Sequence, residues 1–165
     1  MSEAITAVLA LGSNLGDRKA TIEAAVADLA LVDGIKVKQV SPLVESHALT
    51  IEGFDDSKPN YLNAVVKVKT TLKPKALLNA VRAIETKHGR VRLERWGSRT
   101  LDIDIVVYGS LLKDSKELVL PHPRAYERAF VMVPWSLIDA DAVLPGHGSV
   151  AELAQPLTSQ VWVVE

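Results

Sequence analysis

Hydrophobic positions in the first part of the chain follow a strand, helix, strand order. Residues 4–11 are almost wholly apolar, which predicts a central strand buried on both faces. Residues 18–31 carry Ile22, Ala25 and Leu29 on one stripe at helical spacing, with Asp17 at the N-cap position. Alternation then predicts a strand over residues 35–45.

The same order repeats after residues 46–60, which contain Gly53, Pro59 and several acids and predict a long, mobile loop. Residues 61–70 alternate valine with lysine as a strand does. A second helix is predicted from Pro74, which suits a first turn, up to Gly89. Residues 101–108 predict the next strand.

The predicted order β-α-β-β-α-β is the split βαβ, or ferredoxin-like, arrangement of an α+β protein. Two helices then cover one face of an antiparallel sheet, and the other face is available for a site. The C-terminal additions are a polar hairpin or loop at 109–117, a short helix near 130–138, and a short helix and terminal strand within 149–165. Because there is no repeat or domain boundary, we expect one domain over residues 1–165.

Composition narrows the class of protein. The net charge of −1 gives no general attraction to nucleic acid or membranes, and the lack of cysteine excludes disulfides and thiolate metal sites. No signal peptide or membrane-spanning run is evident, so we expect a cytoplasmic protein, and we expect it to be a monomer.

Residues 89–108 carry the clearest candidate chemistry. Asp102 and Asp104 are two apart in the predicted strand, so both carboxylates lie on one face. The alternating residues Leu101, Ile103 and Ile105 enter the core on the other face. Neighbouring carboxylates repel each other unless a cation lies between them, and Mg²⁺ binds such oxygens together with substrate phosphates. The preceding loop carries four arginines, whose planar donors suit phosphate oxygens: Arg90, Arg92, Arg95 and Arg99. The combination predicts a polyphosphate site.

Each of these features also has a purely structural interpretation. An Asp-x-Asp pair is often a solvated strand face, and an arginine cluster is often a surface patch. Tyr61 and Asn63 share a strand face and either recognise a flat heterocycle or are ordinary strand-edge residues. Glu85 either lies on a solvated helix face or orients an arginine, and His122, between two prolines, is either a phosphate contact or a surface histidine.

Five motifs in order resemble 6-hydroxymethyl-7,8-dihydropterin pyrophosphokinases of the folate pathway, over nearly the whole chain. The motifs are Gly12-Ser-Asn14, Tyr61-Leu-Asn-Ala-Val65, Gly89-Arg-Val-Arg92, Arg95-Trp-Gly-Ser-Arg-Thr-Leu-Asp-Ile-Asp104 and Pro121-His122. The resemblance implies that ATP gives its β,γ-pyrophosphoryl group to the pterin hydroxymethyl oxygen, leaving AMP. It also implies two Mg²⁺ ions on Asp102 and Asp104, and a mobile loop around residues 90–96 that closes over ATP.

The resemblance also implies a role for each matching residue. The catalytic residues are Arg90, Arg99, Asp102 and Asp104. The ATP-binding residues are Glu85, Arg92, Arg95, Trp96, His122 and Arg128. The pterin-binding residues are Ser46, His47, Leu49, Tyr61, Asn63 and Phe130, with Tyr61 and Phe130 on the two sides of the ring. The chain departs from the family at Ser98, where proline is common, and at residues 45–49, which lack the usual proline-containing pattern.

Two rival functions share the predicted fold. RNA-recognition domains need aromatic residues on two central strands and a basic sheet face, whereas here the first strand is aliphatic and the fourth carries two acids. A regulatory module that binds a small molecule is the other rival, but it would not need the aspartate pair beside four arginines.

Overall fold

A computed structural model of the chain describes residues 3–14, 17–46, 49–50, 53–54, 60–88 and 101–164. The strands are β1 (Ile5–Ser13), β2 (Ile35–Val40), β3 (Val44–Ser46), β4 (Leu49–Thr50), β5 (Gly53–Phe54), β6 (Tyr61–Thr70), β7 (Asp102–Tyr108), β8 (Lys113–Asp114), β9 (Val119–Leu120), β10 (Val143–Leu144), β11 (Gly148–Ser149) and β12 (Trp162–Val163). The α-helices are α1 (Arg18–Leu31), α2 (Pro74–Lys87), α3 (Ala129–Ile138) and α4 (Val150–Ala154), with 3₁₀ turns at Ala125–Glu127 and Gln155–Gln160.

The main sheet has six strands in the order β12-β3-β6-β1-β7, and β2 also pairs with β6. Every pairing in this sheet is antiparallel. The apolar first strand is central, as predicted, because β1 pairs with β6 on one side and with β7 on the other. The fold is therefore a mixed α/β fold with an antiparallel sheet and, within the described residues, four α-helices.

The prediction of one unbroken strand over residues 35–45 was wrong. The structure divides this segment into β2 and β3, which pair with successive parts of β6. Between them, the Ser41 N–H donates to the Val65 carbonyl at 2.8 Å, and the Ser41 hydroxyl accepts from the Val65 N–H at 2.8 Å. Pro42 follows and has no N–H to donate to a ladder, so the pairing is interrupted there.

Helices α1 and α2 cover one face of the sheet, as predicted. Asp17 caps α1 by accepting from the Ala20 N–H at 3.1 Å, and Pro74 stands in the first turn of α2. The largest side chains of the core between these helices and the sheet are buried leucines and isoleucines: Leu9, Leu11, Ile22, Leu29, Ile35, Leu62, Leu77, Ile84, Leu101, Ile103, Ile105 and Leu120. Their burial is the main favourable term that holds this layer together.

The opposite face of the sheet was predicted to be uncovered, but in the structure helices cover part of it. Helix α3 packs across β6 and β3, and α4 packs on α3. Met132 and Trp135 of α3 are buried there against Val8 and Val65 of the sheet. The space left on this face lies beside the start of α3, and it contains the candidate site.

None of the helices within the described residues has both the length and the apolar character needed to cross a membrane.

Candidate active site

A cavity of about 500 Å³ opens on the sheet face that carries α3. Its walls come from β1, β3, β6, β7, the turn before α3, and the segment before β12. The lining residues are Ala10, Leu11, Gly12, Ser46, Tyr61, Asn63, Asp102, Asp104, Arg124, Glu127, Arg128, Ala129, Phe130, Gln160 and Val161. Seven of the residues predicted for the site therefore meet in one cavity.

Asp102 and Asp104 share the cavity face of β7, as their spacing predicted. Gly12 and Ala10 are their respective partners across the β1–β7 ladder. Both aspartates are half-buried, whereas Ile103 between them is buried in the core under α1 and α2. Arg128 approaches this pair, with its Nη1 at 3.8 Å from the Asp104 Oδ2. The arrangement concentrates negative charge, and the Arg128 guanidinium partly offsets it.

Two carboxylates alone are a small ligand set for a divalent ion. Within the residues that the structure describes, no group of three or more His, Cys, Asp or Glu side chains could hold a metal ion. A cation on Asp102 and Asp104 would therefore need other ligands, and Mg²⁺ characteristically takes waters and substrate phosphates in addition to one or two carboxylates. Their chemistry fits Mg²⁺ bound together with a polyphosphate.

Asn63 lies across β1 from the aspartates. Gly12 is its partner in the β1–β6 ladder, and its Nδ2 is 3.4 Å from the Leu11 carbonyl. Its Oδ1 is buried and has no hydrogen-bond partner among the described residues. A buried amide oxygen without a partner costs free energy, so a ligand that donates to this oxygen would gain binding energy.

Two aromatic rings line the same cavity. Tyr61 comes from the first position of β6, where Ser46 is its cross-strand partner, and Phe130 comes from the first turn of α3. The guanidinium carbon of Arg128 lies 5.6 Å from the centre of the Phe130 ring. This cation–π contact joins the aromatic part of the cavity to the charged part.

His122 lies beside the cavity without lining it. Its backbone N–H donates to the Val106 carbonyl at 2.8 Å, and its Nδ1 accepts from the Arg124 N–H at 3.3 Å. The neutral imidazole therefore keeps its proton on Nε2. Burial lowers the pKa of His122 below the ordinary 6.5, and the Arg128 guanidinium lowers it further, while Asp102 acts in the opposite direction. His122 is thus a neutral hydrogen-bond donor at neutral pH.

Glu85 is buried, with 3% of its surface exposed, so its interpretation as part of a solvated helix face was wrong. Its Oε2 accepts a hydrogen bond of 2.8 Å from the Ile103 N–H. Ile103 lies between the two aspartates, so this bond holds α2 to the part of β7 that carries them. Glu85 does not line the cavity, and its predicted contact with ATP stays a prediction.

Several predicted site residues lie outside the described residues: His47, Arg90, Arg92, Arg95, Trp96 and Arg99. Leu49 is described only by the pairing of its backbone with Phe54. The roles assigned to all of these residues stay predictions.

Three polar residues of the cavity were not predicted from the sequence. Arg124 and Glu127 form an ion pair of 2.8 Å at the turn before α3, and Gln160 comes from the segment before β12. Arg124 could have been chosen as a site candidate from the sequence, because it directly follows the Pro121-His-Pro123 motif. Nothing in the local sequence distinguishes Gln160, because only the path of the C-terminal segment brings it to the cavity.

Comparison with known proteins shows the family of this chain. Residues 8–140 match the family model for 7,8-dihydro-6-hydroxymethylpterin-pyrophosphokinase (HPPK). A 2-amino-4-hydroxy-6-hydroxymethyldihydropteridine pyrophosphokinase of Synechocystis sp. is 39% identical over 96% of this chain and 80% of its own. The enzyme of the same name from Haemophilus influenzae is 40% identical over 92% of each chain.

Solved structures share the fold at low sequence identity. A Plasmodium falciparum HPPK-DHPS has a TM-score of 0.72 and 14% identity, over 96% of this chain and 46% of that longer chain. Another, with pterin and p-hydroxybenzoate, has a TM-score of 0.69 and 16% identity, over 96% and 44% of the respective chains. The extent of the family match and the identity to the bacterial enzymes show that this chain belongs to the 7,8-dihydro-6-hydroxymethylpterin-pyrophosphokinase family.

Proposed function

We propose that this protein transfers the β,γ-pyrophosphoryl group of ATP to the hydroxymethyl oxygen of 6-hydroxymethyl-7,8-dihydropterin in folate biosynthesis, leaving AMP. The observation that carries the proposal is the division of one cavity into two chemically different parts. Asp102, Asp104 and Arg128 form a charged part, and Tyr61 and Asn63 belong to an adjacent part that suits a flat heterocycle.

In the charged part, Asp102 and Asp104 are the proposed ligands of two Mg²⁺ ions. Such ions, when bound, neutralise the charge of the polyphosphate and polarise the phosphoryl oxygens. Arg128 and the Nε2–H of His122 are proposed to donate to phosphate oxygens of ATP, which is supported by the approach of Arg128 to Asp104 and by the hydrogen bond that His122 Nδ1 accepts. Arg90 and Arg99 are the proposed partners of the transferring phosphates, where added positive charge stabilises the transition state.

In the aromatic part, the pterin ring is proposed to lie between Tyr61 and Phe130. Asn63 is proposed to bind the edge of the ring, where its Oδ1 accepts from the amino and ring N–H groups. These contacts give the reacting hydroxymethyl group a fixed direction toward the phosphates, which is the main requirement of phosphoryl transfer.

The proposed reaction is an in-line displacement at the β-phosphorus. The pterin hydroxyl oxygen forms a bond to this phosphorus, and the bond from the phosphorus to the α,β-bridging oxygen breaks. The electron pair of that bond leaves with AMP, and the hydroxyl proton passes to solvent. The chain contributes by orienting both substrates and by balancing charge.

The proposal also covers the fold, the domain organisation, the oligomeric state, the location and the partners. We propose that β7, β1, β6 and β2 form a ferredoxin-like sandwich with α1 and α2, and that α3, α4 and β12 are additions to it; the order of these strands in the sheet supports this. We propose that residues 1–165 form one pyrophosphokinase domain. A monomer in the cytoplasm, with neither nucleic acid nor membrane as a partner, remains our prediction.

The test is an assay of AMP formed from MgATP and 6-hydroxymethyl-7,8-dihydropterin. We expect the wild type to form AMP only when the pterin is present, and Asp102→Ala and Asp104→Ala each to lose nearly all turnover. Asp114→Ala, which changes an exposed aspartate of β8, is the matched control and should behave as the wild type. Full turnover by either site variant at ordinary Mg²⁺ would contradict the metal-binding role, and pterin binding without AMP would favour a binding module.

A further inference from the structure

The start of α1 carries a cation in an electrostatically unfavourable place. Arg18 is the first residue of the helix, directly after the Asp17 cap, and the positive end of the helix dipole disfavours a positive side chain there. Its guanidinium instead contacts residues outside the helix. Arg18 Nη1 donates to the Asn60 carbonyl at 2.7 Å and lies 3.5 Å from the Glu45 Oε1.

These contacts form a closed group of three residues. The Asn60 side-chain Nδ2 donates to the same Glu45 Oε1 at 3.1 Å, so each member contacts the other two. The side chains of Arg18 and Glu45 are 30% and 20% exposed, which keeps the charges only partly screened by water. Helix α1, the end of β3 and the start of β6 are thereby held at one point.

This group lies directly behind the aromatic part of the cavity. Glu45 precedes Ser46, and Asn60 precedes Tyr61; Ser46 and Tyr61 are cross-strand partners that line the cavity. Successive strand residues point to opposite faces, so the group holds the strand ends from the helix side while their neighbours face the ligand.

We infer that Arg18 is a positioning residue for the pterin: it fixes the ends of β3 and β6 and, through them, the Tyr61 ring. This inference rests on the proposed function, since it assigns the ligand of that part of the cavity. Because the group holds β3 and β6, and β1 separates these strands from the aspartates of β7, its loss should act on pterin binding and not on ATP.

The experiment compares steady-state kinetics of Arg18→Ala with those of Lys19→Ala. Lys19 is the next residue and is exposed, and its contact with Glu23 at 4.0 Å is a surface pair, so its removal should change nothing. For Arg18→Ala, we expect the KM for the pterin to rise about tenfold, the scale of losing a hydrogen bond to a charged group. The KM for ATP and the kcat should stay within about twofold of the wild type.

Two further variants separate positioning from general stability. Glu45→Gln keeps the shape of the group but weakens its charge, and should raise the pterin KM less than Arg18→Ala does. Arg18→Lys retains a donor for the Asn60 carbonyl and should restore part of the pterin affinity. If Arg18→Ala does not fold, the positioning role is tested with Glu45→Gln, in which the KM for the pterin should rise and the KM for ATP should not.

The outcomes are distinct. A wild type without pterin-dependent AMP formation would remove the proposed function itself. An active wild type whose Arg18→Ala variant has equal changes in both KM values, or matches Lys19→Ala, would overturn the positioning role alone.

Discussion

The substitution Gly12→Ala tests how closely the two halves of the site are packed. A Cβ on Gly12 would lie 2.6 Å from the Asn63 Nδ2, and ordinary contact begins near 3.4 Å, so the amide must move by about 0.8 Å. The other near atoms are the Asn63 Cγ at 3.6 Å and the Leu62 carbonyl oxygen at 3.9 Å, which need no movement.

The movement of the Asn63 amide should lower the stability of the fold slightly and the activity strongly. The clashing atom is the end of a side chain that borders a cavity, so we expect a loss of about 1 kcal/mol, at the low end for added core volume. A misplacement of this size in a group that positions substrate can reduce activity by about 100-fold. The KM for the pterin should carry most of that loss, because Asn63 is the proposed contact to the ring edge.

A double-mutant cycle isolates the steric cause. In Asn63→Ala, the amide that causes the clash is gone, and the third of the three nearest atoms, the Leu62 carbonyl oxygen, lies at an ordinary contact distance of 3.9 Å. Gly12→Ala should therefore reduce kcat/KM for the pterin strongly in the wild type and by less than about twofold in Asn63→Ala. Equal reductions in both backgrounds would refute this reasoning and point to the backbone of β1 instead.

Three further predictions concern charge and buried hydrogen bonds. Arg128→Ala should raise the pKa of His122, since the guanidinium helps to hold it below 6.5; NMR titration of the imidazole measures this, and an unchanged pKa would contradict it. Lys87 and His88 lower the pKa of Asp28 below 3.8, so the stabilisation by this carboxylate is present above pH 3.8 and is lost as the pH falls through the lowered pKa. Asp28→Asn should accordingly cost about 1 kcal/mol or less in urea unfolding at pH 7 and nothing in strong acid. Glu85→Ala should lower the free energy of unfolding by about 1–3 kcal/mol, because it removes the acceptor of a buried N–H. Glu85→Gln should retain most of that hydrogen bond and therefore most of the stability. Equal losses of stability in both variants would exclude the hydrogen bond as the cause.

Local pattern was sufficient for most of the elements that build the sheet. The boundaries of α1 and β6 agree with their predicted ranges, because a buried stripe and an alternating strand each have a clear period. The error at residues 41–43 had a visible cause in Pro42, whose missing N–H outweighs the alternation around it. The covering of the second face by α3 was not predictable from periodicity, because that helix is apolar on nearly every side.

The site was predictable where a strand carries it and less so elsewhere. Asp102 and Asp104 share a face because a strand has a period of two, and the structure confirms it. The burial of Glu85 was harder to predict, since a helix acid beside an apolar stripe is usually exposed, and its bond to the Ile103 N–H is not visible in the sequence. The presence of Gln160 in the cavity depends on where the last segment of the chain crosses the sheet, and no local sequence pattern predicts that path.

The central strand lies between the two parts of the cavity to which the proposed function assigns its two substrates. Gly12 of β1 has Asn63 as its partner on one side and Asp102 on the other. Neighbouring strands are about 4.8 Å apart, so the backbones of these two residues are separated by roughly 10 Å, with no side chain between them. That distance leaves room for the proposed pterin at Asn63 to bring its hydroxymethyl group to the proposed phosphates near Asp102. Gly12 joins the two proposed half-sites through its backbone alone, and the first contact that a side chain there would make is with the Asn63 amide.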